Sequence, residues 1–104
     1  MEVNKETVFW LYYVYLILSK KHNKYRSYVG YTNNVEKRLH LHNNSKGAKY
    51  TKGNIWKVIY YKKYKEKIRA MKEEYKLKKN YKLRNKIKSQ HISKHYENCN
   101  SITL

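Results

Sequence analysis

The spacing of apolar and polar positions predicts six secondary-structure elements in the order strand, strand, helix, strand, helix, helix. Residues 8–18 are rich in aromatic and β-branched side chains, which predicts a buried strand, best defined over 13–18. A polar connector over 19–24 separates it from a second strand pattern over 25–31, and its hairpin length predicts that the two strands pair antiparallel. The other predicted elements are a short helix from Val35 to Asn43-Asn44, a loop over 45–54, a strand over 55–61, a helix over 65–79 and a helix that starts near Asn80.

This order of elements predicts an α+β fold, a small three-stranded antiparallel sheet flanked by helices (β-β-α-β-α-α). Side chains repeat with a period of two along a strand and about 3.6 along a helix, so the sequence also predicts which of them share a face. The shared face of the third strand contains Trp56, Val58 and Tyr60. The apolar stripe of the following helix contains Ile68, Met71 and Tyr75, with Leu77 as a further candidate.

A chain of 104 residues is long enough for one hydrophobic core. We expect a single domain over 8–90, preceded by a frayed segment over 1–7 and followed over 91–104 by a tail or an extension of the last helix. The longest apolar run, 8–18, is too short to cross a bilayer, and no signal-peptide cleavage site follows it. We therefore expect an intracellular protein, in the cytoplasm or nucleus, with no membrane partner.

The single cysteine, Cys99, excludes a disulfide framework within the chain and zinc modules built on several cysteines. His91, His95 and Cys99 are spaced so that a continuous helix would carry all three on one face, as in a metal site. Ser93 and the end of the segment, Asn98-Cys99-Asn100, are poor helix formers. This favours a solvated tail over a zinc site.

The chain carries 25 Lys and Arg against 7 Asp and Glu, a formal net charge of +18. Such an excess indicates a polyanionic partner, and nucleic acid is commoner than an anionic membrane for a globular domain. A biased codon composition would also enrich Lys, Asn, Tyr and Ile, but it does not readily explain so few glutamates. Nucleic-acid binding is therefore favoured, although charge alone predicts no reaction.

Four side chains in the first half of the chain could together handle a phosphate group. Tyr15 and Tyr28 lie on the two strands expected to pair, where side chains on a shared face come close. Arg38 and His42 are one turn apart on the following helix and share a face of it. Because the chain has 13 tyrosines, packing in the core is the commoner role for any one of them.

The order of these residues resembles the GIY-YIG nuclease domain, over roughly residues 10–88. The chain is similar to the small stand-alone members of that family, which are related to the amino-terminal domain of UvrC and to structure-selective nucleases. An ordered series of motifs is far more specific than either tripeptide alone. The matching segments are Tyr13-Val14-Tyr15, Tyr28-Val29-Gly30, Arg38, His42-Asn43, Lys46-Gly47-Ala48-Lys49-Tyr50-Thr51 and the acidic helix over 70–79, with Tyr13 in place of the family's glycine.

The resemblance implies a metal-dependent DNA endonuclease that hydrolyses phosphodiester bonds, is structure-selective rather than sequence-specific, and acts in DNA repair or recombination. It implies that Glu74 holds one divalent cation, Mg²⁺ or another such as Mn²⁺. Tyr28 would take a proton from the attacking water, and since an ordinary phenol has a pKa of about 10, it needs a nearby cation such as Arg38. Tyr15 would orient the water or hydrogen-bond to Tyr28. His42 would be a proton shuttle or phosphate ligand, or would simply pack the helix on the loop.

The neighbouring carboxylate, Glu73, lies about a quarter-turn from Glu74 and is expected to be a solvated surface group. If the predicted apolar stripe faces the sheet, Glu74, three residues after Met71, lies nearer the sheet than Glu73. Two rival functions remain open: a non-catalytic basic nucleic-acid-binding module of the same fold, and an RNA-associated basic protein that uses the lysine-rich second half. The expected DNA contacts are Lys37, Lys46, Lys49 and Lys52, and Gly30, Tyr50 and Thr51 are expected to have structural roles at the site.

Overall fold

The computed structural model describes the backbone of residues 11–103 and the side chains of residues 11–94, so the predicted frayed segment and the start of the first predicted strand lie outside the described residues. The sheet has the order β2-β1-β3, and both strand pairs are antiparallel. The predicted α+β fold and its β-β-α-β-α-α order are confirmed. The elements are β1 (Tyr12–Lys21), β2 (Lys24–Thr32), α1 (Val35–Asn43), a 3₁₀ turn (Lys49–Thr51), β3 (Lys57–Tyr64), α2 (Lys67–Lys79) and α3 (Tyr81–Thr103).

The hairpin between β1 and β2 is tighter than predicted. Lys21 pairs with Lys24, so His22 and Asn23 alone form the turn, with φ angles of 53° and 64°. Two consecutive positive φ angles give the tight turn whose twist matches that of paired strands, and Asn tolerates this conformation well. The predicted connector over 19–24 is therefore wrong in length, because polar side chains at the end of β1 leave its backbone free to pair.

The central strand, β1, is covered on both faces. Helices α2 and α3 pack on one face, and α1 packs on the other through Leu39. A strand buried on both sides has no solvent face on which polar side chains would alternate. This explains the unbroken apolar run in the sequence. One buried cluster contains Val14, Leu16, Val29, Ala70 and Leu77, and the other contains Tyr15, Ile17 and Trp56.

A bulge in β3 changes which of its side chains share a face. Leu16 pairs with Tyr60 but the next residue, Ile17, pairs with Val58, so Ile59 is an extra residue in the ladder. As a result, Tyr60 packs against the cluster under α2, while Val58 packs against the cluster under α1. The prediction that these two side chains share a face is wrong, because strict alternation does not survive an inserted residue.

Helix α2 faces the sheet with a different side from the one predicted. Ile68, Met71 and Tyr75 are 68%, 45% and 58% exposed, whereas Ala70 and Leu77 are buried. The predicted apolar stripe is therefore wrong for Ile68, Met71 and Tyr75, while its further candidate, Leu77, is buried as expected. The helix lies on the sheet through the small side chain of Ala70, and this seating turns the three larger side chains outward.

The last helix, α3, continues to Thr103, so the segment after residue 90 extends the helix. The side chain of Asn80 separates it from α2 by accepting a hydrogen bond from the backbone N–H of Leu83, at 3.1 Å. The His95 and Cys99 side chains of the candidate zinc site lie outside the described residues. Among the described side chains, no cluster of three or more His, Cys, Asp or Glu could hold a metal ion, and no described helix is long and apolar enough to cross a membrane.

Candidate active site

Tyr15 lies at the centre of the candidate site, on β1, and is 2% exposed. It pairs across the sheet with Gly30 of β2, and its ring lies over that glycine. A Cβ at position 30 would be 2.6 Å from Tyr15 Cζ, closer than real Cβ atoms approach. Gly30 is thus the residue that lets the tyrosine ring cross the neighbouring strand.

The Tyr15 hydroxyl is hydrogen-bonded to His42 Nε2, at 2.8 Å. His42 lies on α1 and is fully buried, and its other ring nitrogen, Nδ1, is 2.9 Å from Thr51 Oγ1. Thr51 Oγ1 in turn donates to the backbone carbonyl of Ala48, at 2.7 Å. Because the threonine proton is used there, its oxygen must accept from His42 Nδ1–H, and Nε2 is left to accept from Tyr15.

Burial and the hydrogen bonds together set the protonation states of His42 and Tyr15. His42 is neutral, and burial lowers its pKa from 6.5 to about 4, with the positive charge of Arg38 as the second cause. Burial raises the pKa of Tyr15 to about 12, even though hydrogen bonding and the charge of Arg38 act in the opposite sense. Tyr15 therefore stays protonated, and its hydroxyl donates a hydrogen bond to His42 Nε2.

The loop after α1 is held by a second set of hydrogen bonds. Asn43, the last residue of α1, forms two hydrogen bonds to the backbone of Trp56 with its side-chain amide. Nδ2 donates to Trp56 O at 3.1 Å, and Oδ1 accepts from Trp56 N at 2.6 Å. Trp56 Nε1 donates to the Thr51 carbonyl at 2.9 Å. Gly47 is needed beside them, since a Cβ there would crowd the His42 ring, at 3.0 Å from Cγ.

Tyr28 is half-buried beside this chain of hydrogen bonds. Its ring centroid is 5.1 Å from that of His42, and on β2 it lies close enough to Tyr15 to raise the pKa of that residue. Tyr50, on the 3₁₀ turn, stacks on Tyr28 with centroids 6.2 Å apart and planes inclined by 22°. The alternatives for Tyr15 included a hydrogen bond to Tyr28; the bond that the structure shows runs to His42.

The two carboxylates of α2 face different surroundings. The negative charge of Glu74 lies close enough to Tyr15 to raise its pKa, and the Glu74 side chain is 17% exposed. Glu73 instead raises the pKa of Tyr64 on β3. It forms ion pairs with Arg69 and Lys76, so it is a partly buried, paired group rather than a solvated one. Of these two carboxylates, Glu74 is therefore the one that lies near Tyr15 and acts on it together with Arg38.

The structure thus brings together side chains from four elements around Tyr15. Arg38 acts on it through a hydrogen bond and its charge, Glu74 acts through its charge, Tyr28 is its neighbour on β2, and His42 accepts a hydrogen bond from its hydroxyl. The lysines predicted to contact DNA are exposed side chains on α1 and on the loop that follows it. They are Lys37, Lys46, Lys49 and Lys52.

The sequence reasoning missed several residues of the site. Asn43 and Trp56 hold the loop, and Gly47 makes room for His42. Arg26 places its guanidinium 6.0 Å from the Tyr50 ring centroid. The amide at a helix end and the glycine inside the matching loop were available signals, but their contacts with Trp56 and with the His42 ring form only in the folded chain.

The model of the GIY-YIG catalytic domain matches residues 11–88, most of the chain. No solved structure matches it significantly.

Several bacterial proteins of the UPF0213 group are similar to the chain. One, from Oceanobacillus iheyensis, is 46% identical over 68 residues, which cover 64% of this chain and 76% of the relative. A UPF0213 protein of Clostridium perfringens is 43% identical over 68 residues, covering 64% of this chain and 70% of its own length. A third, from Staphylococcus haemolyticus, is 43% identical over 68 residues, with 64% and 79% covered. With its family match over residues 11–88, this chain belongs to the GIY-YIG catalytic domain family of nuclease domains.

Proposed function

We propose that this protein is a metal-dependent DNA endonuclease that recognises the structure of its substrate rather than a fixed sequence. The observation that carries the proposal is the convergence on one buried tyrosine, Tyr15, of charged and polar groups from three other elements. Arg38 comes from α1, Tyr28 from β2 and Glu74 from α2. A protein that only bound nucleic acid would not need a carboxylate in the middle of a positively charged surface.

The charge supports a nucleic-acid substrate. With a formal net charge of +18, the chain carries exposed lysines on both sides of the site along the sequence, from α1 through the loop to α2. Lysines that contact phosphate oxygens carry no information about base sequence. Selectivity then has to come from the shape of the strand or from unpaired nucleotides, which supports structural rather than sequence recognition.

The donor chemistry of the site fits a hard divalent cation such as Mg²⁺ or Mn²⁺. Glu74 offers one carboxylate, partly shielded from solvent, and its ion-pair partner Lys78 is at the loose distance of 3.6 Å. A single carboxylate is enough for Mg²⁺, which keeps several waters and takes phosphate oxygens as further ligands. Bound there, the cation would polarise the scissile phosphate and stabilise the leaving 3′ oxygen.

The other side chains have distinct roles in the proposed reaction. Tyr28, acting as a phenolate, takes the proton of the attacking water, whose oxygen bonds to phosphorus. The bond from phosphorus to the 3′ oxygen breaks, and the departing 3′ oxygen takes a proton from solvent. Arg38 offsets the negative charge that builds on the phosphoryl oxygens. Tyr15 cannot be the base, because it stays protonated and its hydroxyl donates a hydrogen bond to His42. Its oxygen lone pairs instead accept from Arg38 or the water, and His42 positions Tyr15 without touching the substrate.

The experiment that tests this proposal compares two neighbouring carboxylates. Glu74→Gln keeps the size of the side chain and removes the anionic ligand, so cleavage in Mg²⁺ should nearly vanish while DNA binding persists or tightens slightly. Glu73→Gln is the matched control and should cut like the wild type, since it loses only ion pairs to Arg69 and Lys76. Duplex, flap, branched and single-stranded DNAs would be assayed for both cleavage rate and affinity.

The possible outcomes separate the competing functions. If both variants cut normally, the metal-dependent mechanism is wrong. If the wild type binds DNA and cuts none of the four substrates in Mg²⁺ or Mn²⁺, the protein is the non-catalytic binding module instead. Equal cleavage of all four DNAs would leave a nuclease without structural selectivity.

A further inference from the structure

One aromatic ring at the site is exposed although it has neighbours to pack against. Tyr50 is 51% exposed, yet its ring stacks on Tyr28, the proposed base. It also lies 6.3 Å from the Trp56 ring, inclined by 42°. Tyr50 therefore lies between the Tyr28 ring and the protein surface, next to the residue whose hydroxyl would activate the water.

The support beneath Tyr50 is rigid. The next residue, Thr51, is fully buried, and its hydroxyl is bonded both to Ala48 O and to His42. The Thr51 carbonyl accepts from the Trp56 indole. A side chain with two rotatable bonds, held on a fixed backbone, loses little conformational entropy when a ligand packs on it.

The surroundings of the ring are cationic. The Arg26 guanidinium lies 6.0 Å from the Tyr50 centroid, and the exposed Lys49 and Lys52 flank Tyr50 in sequence. An exposed aromatic ring among cations is how proteins bind single strands, because bases stack on the ring while phosphates contact the cations. A base inside a duplex has both faces covered by its neighbours, so only an unpaired or displaced base can stack in this way.

We propose that Tyr50 is a stacking platform for an unpaired nucleobase next to the cleaved phosphodiester. The inference rests on the proposed nuclease function and adds the feature that selects the substrate: a nucleotide at a nick, flap or junction rather than in continuous duplex. Recognition by stacking is tolerant of base identity, as structural selectivity requires.

The test measures binding in the absence of divalent cations, so that it does not depend on cleavage. The probes are a single strand of thymidines and a strand of equal length in which every base is replaced by hydrogen. Wild-type protein should bind the thymidine strand about tenfold more tightly, which corresponds to about 1.4 kcal/mol. Tyr50→Leu should lose this preference and leave the affinity for the abasic strand unchanged, while Tyr50→Phe should keep it.

Tyr25→Leu is the matched control. Tyr25 is also an exposed tyrosine, 40% exposed, with a cation, Lys20, 5.4 Å from its ring. It pairs with Lys20 near the hairpin turn, five residues along β1 from the Tyr15–Gly30 pair, or roughly 17 Å at about 3.3 Å per residue. Its substitution should leave the preference for thymidine intact.

Three results would overturn the inference. They are equal binding of the two strands by the wild type, equal weakening of both strands by Tyr50→Leu, and loss of preference in Tyr25→Leu as well. Should Tyr50→Leu fail to give a native circular dichroism spectrum, Tyr50→Gln, which also removes the ring at this exposed position, replaces it in the comparison. If the protein cleaves DNA but shows no preference for the thymidine strand, the stacking role of Tyr50 is wrong and the nuclease function stands. If it shows the preference but does not cleave DNA, the nuclease function is wrong and the stacking role stands.

Discussion

Acid should destabilise this protein through one buried histidine, His42. In the folded chain its ring is fully buried, with Nε2 accepting from Tyr15 and Nδ1 donating to Thr51. Protonation would put a second donor against the Tyr15 hydroxyl and a positive charge near Arg38. Burial, which disfavours the charged ring, is the main reason why the folded-state pKa of His42 is about 4 instead of 6.5, and the positive charge of Arg38 is the second.

The sign follows from proton binding. Between about pH 6.5 and about pH 4 the unfolded chain binds a proton at this histidine that the folded chain does not, so stability falls as the pH falls through that window. A shift from 6.5 to about 4, at about 1.36 kcal/mol per unit, sets an upper limit of roughly 3 kcal/mol. Relaxation around the charged ring lowers this to about 1–3 kcal/mol. For a small domain with a stability of about 5–15 kcal/mol, that is a measurable fraction.

The assay is urea unfolding at about pH 7 and about pH 4, on the wild type and on His42→Gln, which cannot titrate in this range. Carboxylates and the other histidines contribute to both proteins, so the difference between the two isolates His42. We expect the wild type to lose about 1–3 kcal/mol more than the variant on acidification. A parallel loss in the two proteins would refute the assignment of a neutral, buried imidazole.

Two further predictions test the packing and the charge of the site. Gly30→Ala should destabilise the fold by about 1–3 kcal/mol and break the Tyr15–His42 hydrogen bond, because the new methyl group collides with a buried ring; thermal unfolding measures the first effect. Gly53→Ala, where nothing lies within 4 Å but φ is 78°, should cost only the roughly 1 kcal/mol of backbone strain and leave the site intact. DNA affinity should fall steeply as the salt concentration rises, and log affinity plotted against log salt concentration should be linear. Removing the charges of Lys46, Lys49 and Lys52 together should make that slope shallower. An unchanged slope would contradict their phosphate contacts.

The sequence was sufficient for the order of elements and for the family. Long apolar runs and N-cap residues such as Asn34 are local features, readable from residues a few positions apart. The tyrosines, Arg38 and Glu74 are spread over a longer stretch, from position 15 to position 74. The family resemblance joins them because its motifs keep a fixed order along the chain. The α+β fold and the membership of the GIY-YIG family were predictable on this basis, and both are confirmed.

Which face of an element turns inward was less predictable. The bulge at Ile59 reverses the alternation of β3, and the seating of α2 on Ala70 turns Met71 and Tyr75 to solvent. Both depend on how an element meets its neighbours, which the period of its own sequence does not contain. The prediction that Glu74 lies nearer the sheet than Glu73 rested on the wrong stripe, although of these two carboxylates it is Glu74 whose charge raises the pKa of Tyr15.

Only the tertiary structure decided the chemical state of the site. Tyr15, His42 and Thr51 are remote from one another in sequence, and each has an ordinary pKa or hydrogen-bonding capacity by itself. Brought together and buried, they form one directed chain of hydrogen bonds that keeps the histidine neutral and the tyrosine protonated. Residue types and spacing suffice to identify such a set of side chains, whereas protonation depends on burial and on neighbouring charges, which exist only in the folded chain.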